Sequence, residues 1–206
     1  TNILIDHIKE EFSNIENNLV IAIEKTPLPK KVMEIGVQEG LTKSIYAALN
    51  GVYRMTPDIA DLVETSNNIA RVVVKNGKIE IGCLTRSSSE TNKMDLANSL
   101  KSAFELSGFD VELSADYPGW QPNVNSAILD IVANLYEKLH GEKAIVAACH
   151  AGLECGLLGQ HYPEIDMVSF GPTIRGAHSP DERASISSTQ KFWAFLIQIL
   201  KNIPSK

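Results

Sequence analysis

The stretch IARVVVKNGKIEIGCL, residues 69–84, decides the reading of the first half of the chain. Ile69, Val72, Val73 and Val74 form one apolar run, and Ile79, Ile81 and Leu84 form a second. β-Branched side chains pack well on a pleated surface. Asn76-Gly77 stands between the runs, and this pair enters the two positive-φ positions of a tight turn at little steric cost. The segment from Asp61 to Ser88 therefore reads as a β-hairpin.

Helical periodicity resumes on either side. Residues 90–107 place Met94, Leu96, Leu100, Phe104 and Leu106 at helical spacing, with Gly108 as the stop. Phe109–Leu113 then reads as a short strand. Upstream, residues 38–50 carry Leu41, Ile45, Ala48 and Leu49 on one face and end at Asn50-Gly51. Leu19–Lys25 is an apolar run read as a strand, broken by Pro27 and Pro29. Ile3, Ile8, Phe12 and Ile15 mark a helix over 3–16. A hairpin between two helices predicts a split βαβ, ferredoxin-like layer with helices on one face.

DYPGWQPN (116–123) holds two prolines, a glycine and a Trp, and reads as a linker or domain crossing. After it come a helix (Ser126–Leu139), a strand (Ala144–Ala148), a glycine-rich turn (His150–Gly159), a strand (Ile165–Phe170), a polar loop (Gly171–Glu182) and a last helix (Ala184–Ile203). Alternating strands and helices predict a parallel α/β arrangement, although two strands are too few for a self-sufficient parallel sheet. The fold class expected is thus α/β: an α+β layer followed by part of a parallel domain.

With 206 residues, 44% of them hydrophobic and 21% charged, the chain has the composition of a folded globular protein. A net charge of −6 argues against nucleic-acid binding, because no basic surplus exists to neutralise phosphates. No apolar run approaches the roughly 18 residues that a membrane span needs. Cys83, Cys149 and Cys155 lack C-x-x-C spacing, which argues against a disulfide framework or a structural zinc knot and for a reducing, cytoplasmic compartment. The chain opens on Thr1, and TNILIDHIKEEFSNIENN is acidic and amphipathic, unlike a signal peptide. A processed or cut start is expected.

Three clusters could carry chemistry. CHAGLECG (149–156) follows an apolar run, where α/β sheets place ligands. Its Gly152 could let a backbone N–H approach a substrate oxygen, and Glu154 could serve as base, ligand or acceptor. Equally, the segment reads as a turn opening a helix with Glu154 as a favourable first-turn charge. SFGPTIRGAHSPDE (169–182) holds His178 among rigid punctuation. His178 reads either as a metal ligand or as part of a surface loop whose Ser179 or Asp181 caps the next helix. Arg86 reads as a clamp for a carboxylate or as a solvated strand-end charge, and Arg175 as a loop charge. Cys149 and His150 are neighbours in sequence, but a nucleophile pair is defined by geometry rather than adjacency.

HAGLECG (150–156), SFGPTIxxAHSPDE (169–182) and YPGWxP (117–122) closely resemble the C-terminal half of the aminoacyl-histidine dipeptidases, carnosinase-like enzymes of the M20 metallopeptidases. The resemblance implies a zinc-binding catalytic domain with an inserted lid. Residues 1–118 would be the later part of that lid and of a dimerisation domain, and residues 119–206 the return into the catalytic domain. It implies two zinc ions holding a bridging water, with His178 the one ligand in this half and the general base upstream, so that no catalytic residue lies in this chain. It further implies that Arg86 grips the substrate's C-terminal carboxylate, that Gly152 lies in the cleft, and that Glu154 lines the substrate pocket. No H-x-D occurs, so the chain alone is expected to bind zinc incompletely and to be inactive. The intact protein would hydrolyse small Xaa-His dipeptides as a homodimer joined through the lid. The alternatives are a non-catalytic dimerisation or binding module, or a related M20 amidohydrolase or deacylase.

Overall fold

The computed structural model describes residues 2–123, 125–150 and 152–203. Thr1, where a cut is expected, and Ala151, inside the glycine-rich turn, lie outside the described residues. The chain divides into two compact units, Thr1–Ile35 and Gly36–Lys206.

The first unit carries helix α1 (Asn2–Glu11) and the extended segment that follows. The strand expected at Leu19–Lys25 does not form. Its run enters no ladder, and Val20 and Ile23 are 82% and 66% exposed. β-Propensity there meets no partner strand to take up the backbone N–H and C=O groups.

The second unit begins with α2 (Ile35–Ala47) and the strands β1 (Gly51–Met55), β2 (Val63–Lys75) and β3 (Lys78–Ser87), which form an antiparallel sheet in the order β1-β2-β3. The hairpin is as expected. Asn76 and Gly77 take φ of 54° and 75°, and Lys75 pairs with Lys78 beside them. Strand β1 has no counterpart in the sequence reading, where Asn50-Gly51 served only as a helix stop. Gly51, at φ 117°, instead turns the chain directly into an exposed edge strand.

Helix α3 (Glu90–Glu105) starts at Ser89, whose hydroxyl accepts the Asn92 N–H. Leu96, Leu100 and Phe104 are buried with Ala48, and Ile69, Ile81, Phe109 and Val111 pack against them. Met94, expected on this face, is 45% exposed, because two helical steps from Leu96 carry it around to the far side. Phe109–Leu113 is not a strand. Phe109 and Val111 reach the core as side chains, Phe109 edge-on to Phe104 at 6.1 Å between centroids, and no ladder forms.

Helices α4 (Ala127–His140), α5 (Glu154–His161) and α6 (Ile186–Lys201) make up the remainder with two short strands, β4 (Ile174–Arg175) and β5 (Arg183–Ala184). Ser126 caps α4, and Gly141 ends it in the left-handed conformation. Val132, Phe195 and Ile199 form a second core with Tyr136 and Val168 against it. The parallel sheet expected here is not formed among the described residues. Ala144–Ala148 and Ile165–Phe170 join no ladder, and Ile145 is 97% exposed. Parallel strands need neighbours as well as helical cover; Val168 and Phe170 of the second run pack on α4 and α6, but among the described residues neither run finds a partner strand. Asp166, within the second run, turns its carboxylate to α4 and accepts the Ile128 N–H at 3.0 Å. That backbone bond holds its carboxyl below the usual range. The result is a mixed α/β fold with small antiparallel sheets. Among the described residues no helix is long and apolar enough to cross a membrane.

The segment read as a linker, residues 116–123, is packed rather than loose. Pro118 is buried. Lys93 Nζ, on a side chain only 8% exposed, contacts Glu90 at 2.7 Å, Asp116 at 2.6 Å and the Tyr117 carbonyl at 3.1 Å. Gly119 lies against the Ser87–Ser88 backbone so closely that a Cβ would overlap the Ser87 carbonyl, and its N–H donates to Glu90 Oε1 at 2.9 Å. Gly156 meets the same segment from α5, where a Cβ would come within 2.5 Å of the Pro118 carbonyl oxygen. Gly119→Ala should therefore destabilise the chain by about 1–3 kcal/mol through overpacking, read as a lower urea midpoint. An unchanged midpoint would show that the segment yields without cost.

Candidate functional site

A cavity of about 1210 Å3 runs beside β3 and α3 and under residues 109–122. Arg86, Gly152 and His178 all line it, together with Tyr117, Cys149 and His150. Three of the four residues singled out in the sequence are thus brought together. Glu154 is not among the lining residues. It is exposed in the first turn of α5, where a carboxylate complements the partial positive charge of the helix start.

Strand alternation sets up the Arg86 wall. Thr65 pairs with Ser87, and their buried hydroxyls lie 2.8 Å apart. The next pair is Ser66 with Arg86, which period-two alternation turns to the opposite face. Among the described residues Arg86 forms no ion pair, whereas the other cations of the cavity wall do. Lys93 is held by Glu90 and Asp116, and Lys101 lies 3.7 Å from Glu105. A guanidinium that lines a cavity and forms no ion pair among the described residues is suited to take an anion in bidentate fashion.

His150, considered in the sequence only as a neighbour of Cys149, also lines the cavity. Its Nε2 lies 2.7 Å from Ser66 Oγ. Burial lowers its pKa first, and the Arg86 charge lowers it further against an opposing backbone interaction with Val63. The shift favours the neutral ring. The contact joins residues 84 apart in sequence and depends on strand register, so no local pattern announces it. Cys83 also lines the cavity, but burial pushes its thiol up, which disfavours the nucleophilic thiolate.

Gly152 faces the Tyr117 ring, where a Cβ would sit 3.0 Å from Cδ1. The glycine therefore admits Tyr117 of the packed segment to the turn. His178 occupies a left-handed conformation, φ 63°, which costs a non-glycine residue about 1–3 kcal/mol. The surrounding loop fixes it there. The His178 N–H donates to Glu182 Oε2 at 2.7 Å, Ser179 Oγ donates to the Gly176 carbonyl at 2.7 Å, and β4 and β5 close the loop. The helix-capping alternative for Ser179 and Asp181 does not hold, since Ser185 caps α6. Arg175 lies in β4, opposite Arg183.

Zinc takes three or four protein ligands in most sites. Among the described residues no three His, Cys, Asp or Glu side chains converge to hold a metal ion. One imidazole does not hold a resident metal by itself. Glu182→Ala should release the His178 amide, removing a charge-assisted bond worth about 1.5–3 kcal/mol. Hydrogen exchange at that amide should then rise by about tenfold or more. Unaltered exchange would mean that the β4–β5 closure alone holds the loop.

Comparison with known proteins bears on what this cavity serves. The profile of Peptidase family M20/M25/M40 matches residues 2–202. The cytosol non-specific dipeptidase of Escherichia coli (strain K12) is 37% identical over 199 residues, covering 97% of this chain and 41% of that protein. The crystal structure of aminoacylhistidine dipeptidase from Vibrio alginolyticus superposes with a TM-score of 0.85 at 38% identity, over 100% of this chain and 42% of that one. Aminopeptidase PepT from Bacillus cereus ATCC 10987 shares the fold at a TM-score of 0.61 and 17% identity, over 80% of this chain and 44% of its own. The chain therefore spans about two-fifths of the length of these relatives.

Proposed function

The chain belongs to peptidase family M20/M25/M40, and from that premise we propose that it contributes the substrate-gripping part of a zinc-dependent dipeptidase acting on Xaa-His dipeptides. The observation that carries the reading is Arg86, a guanidinium without an ion-pair partner among the described residues, in one cavity with Gly152 and His178. Two similar proteins are named as dipeptidases, one of them an aminoacylhistidine dipeptidase.

In this reading residues 1–118 form the lid portion and residues 119–206 the return into the catalytic domain. Arg86 takes the peptide's terminal carboxylate through two parallel N–H···O bonds. In a dipeptide that carboxylate lies one residue from the scissile bond, so gripping it also fixes the carbonyl to be attacked. Gly152 keeps the turn low enough for Tyr117 and the peptide backbone to share the wall. His178 is offered as one metal ligand, with the remaining ligands and the general base outside the described residues. Bound zinc would supply a water of lowered pKa. The exposed edge strand β1 favours a homodimer formed through the lid portion. Three cysteines without C-x-x-C spacing favour a reducing, cytoplasmic setting.

The grip is tested in the full-length protein with paired substrates. Arg86→Ala should lower kcat/KM for an Xaa-His dipeptide by about tenfold or more, mainly through KM. The same dipeptide amidated at its C-terminus should be a poor substrate that the mutation leaves unaffected. Equal sensitivity of both substrates would overturn the carboxylate role. His178→Ala should sharply lower zinc content measured by elemental analysis, and full stoichiometry in that variant would remove His178 from the ligand set. The chain of 206 residues alone should show no hydrolysis. Chelator-sensitive turnover by it would contradict this reading.

A further inference from the structure

His150 makes no part of the carboxylate grip, yet the fold brings it to the same cavity. Its ring bonds the Ser66 hydroxyl and also interacts with the Val63 backbone, so it ties the turn to strand β2 of the three-stranded sheet. Ser66 stands directly across from Arg86, so the anchor of the turn and the guanidinium sit side by side on one sheet face. The groups facing the ring from the sheet are Ser66 and Val63 of β2 and Arg86 of β3.

The chemistry of the residue at this position is constrained. A carboxylate beside Arg86 would pair with it and close the anion seat. An ammonium or guanidinium would repel it. A neutral imidazole hydrogen-bonded through Nε2 to the Ser66 hydroxyl does neither, and it can tether the turn. Gly152, two residues on, then keeps its place between the tether and the Tyr117 ring.

We propose that His150 is a positioning residue for the substrate carboxylate: anchored on Ser66, it holds the turn carrying Gly152 at a fixed distance from Arg86 and so sets the length of peptide that the seat accepts. The proposal rests on the reading of Arg86 as a carboxylate grip and adds a determinant of substrate length. A dipeptide and a tripeptide place their terminal carboxylates about 3.3–3.6 Å apart along an extended chain. A rigid turn-to-guanidinium spacing discriminates between them, and a slack one does not.

The test uses full-length protein and a matched Xaa-His dipeptide and tripeptide. Ser66→Ala and His150→Ala should each raise KM for the dipeptide about five- to a hundredfold with kcat little changed, and should narrow its preference over the tripeptide. The double variant should be no worse than His150→Ala alone, because that change already breaks the Ser66 bond. His150→Gln, which can still bond Ser66, should recover most of the affinity, whereas His150→Phe, which fills the space without the bond, should not. Additive losses, a fall in kcat at constant KM, or a Gln variant as impaired as the Ala variant would each overturn the proposal. Arg86→Ala separates the two levels. If it leaves KM unchanged, the carboxylate reading falls and this proposal with it. If it raises KM while the Ser66 and His150 variants do not, the positioning role alone falls.

Discussion

The register of β2 against β3 is the constraint on which the cavity depends. The Asn76-Gly77 turn starts the ladder at Lys75 and Lys78, and pairing runs unbroken to Arg71 opposite Gly82. There β2 carries one extra residue, since the next pair is Ile69 with Cys83, which leaves Ala70 as a bulge. Without that insertion Asn67 would stand across from Arg86, and Ser66 would stand across from Ser87 on the core side. The bulge thus places Thr65 with Ser87 inside and Ser66 with Arg86 outside. A single residue of slip would turn the Ser66 hydroxyl away from His150.

A second constraint joins this sheet to the rest of the cavity wall. Lys93 projects from α3 into a ring of oxygens from Glu90, Asp116 and Tyr117. Burial works to lower its pKa, but the Asp116 and Glu90 interactions outweigh burial and raise it above the usual 10.5. A folded-state pKa raised in this way contributes stability that is complete at neutral pH and is lost only as pH rises through the folded value. The ammonium therefore acts as a permanent staple under physiological conditions. It fixes residues 116–119, which in turn seat Tyr117 on Gly152 and Gly119 on the Ser87–Ser88 backbone. At Gly119 only a residue without Cβ passes, since a Cβ would overlap the Ser87 carbonyl, whereas at Gly152 a Cβ would press on the Tyr117 ring.

What the sequence made legible follows from how local each feature is. The hairpin, α3, α4 and α6 are specified by turn chemistry, caps and periodicity within one stretch, and they stand where these signals put them. The runs Leu19–Lys25, Phe109–Leu113, Ala144–Ala148 and Ile165–Phe170 carry the same β-branched and apolar character. A strand, however, exists only with a partner, and no local pattern can supply one. Strand β1 is the converse case: GVYRM has no clean alternation, yet it pairs with β2 because the chain leaves Asn50-Gly51 beside that edge. At the site, Arg86, Gly152 and His178 stand out by residue type and motif. Ser66 and Lys93 do not, and the roles of His150 and Tyr117, though both lie in recognisable motifs, are not legible, because each acts through a contact with a distant segment. Glu154 had the chemistry of a site residue, but helix α5 spends it on its own first turn.

The size of the cavity determines which kind of selectivity it can exercise. At about 1210 Å3 it exceeds the range of roughly 300–1,000 Å3 common for small-molecule pockets, so under the proposed function the walls this chain supplies would not by themselves select a short peptide. Its charges can. Lys93 and Lys101 are tied to carboxylates of the fold, which leaves Arg86 as the cation on that wall with charge to spare among the described residues. One fixed cation in a roomy cavity measures distance rather than volume. A peptide that binds it by its terminal carboxylate is registered from that end, and every added residue shifts the scissile bond by one full step of the chain. Selection of a dipeptide in the proposed reaction then depends on how rigidly Arg86 and the facing turn are held. That rigidity comes from the strand bulge, the Lys93 staple and the Ser66–His150 contact acting together.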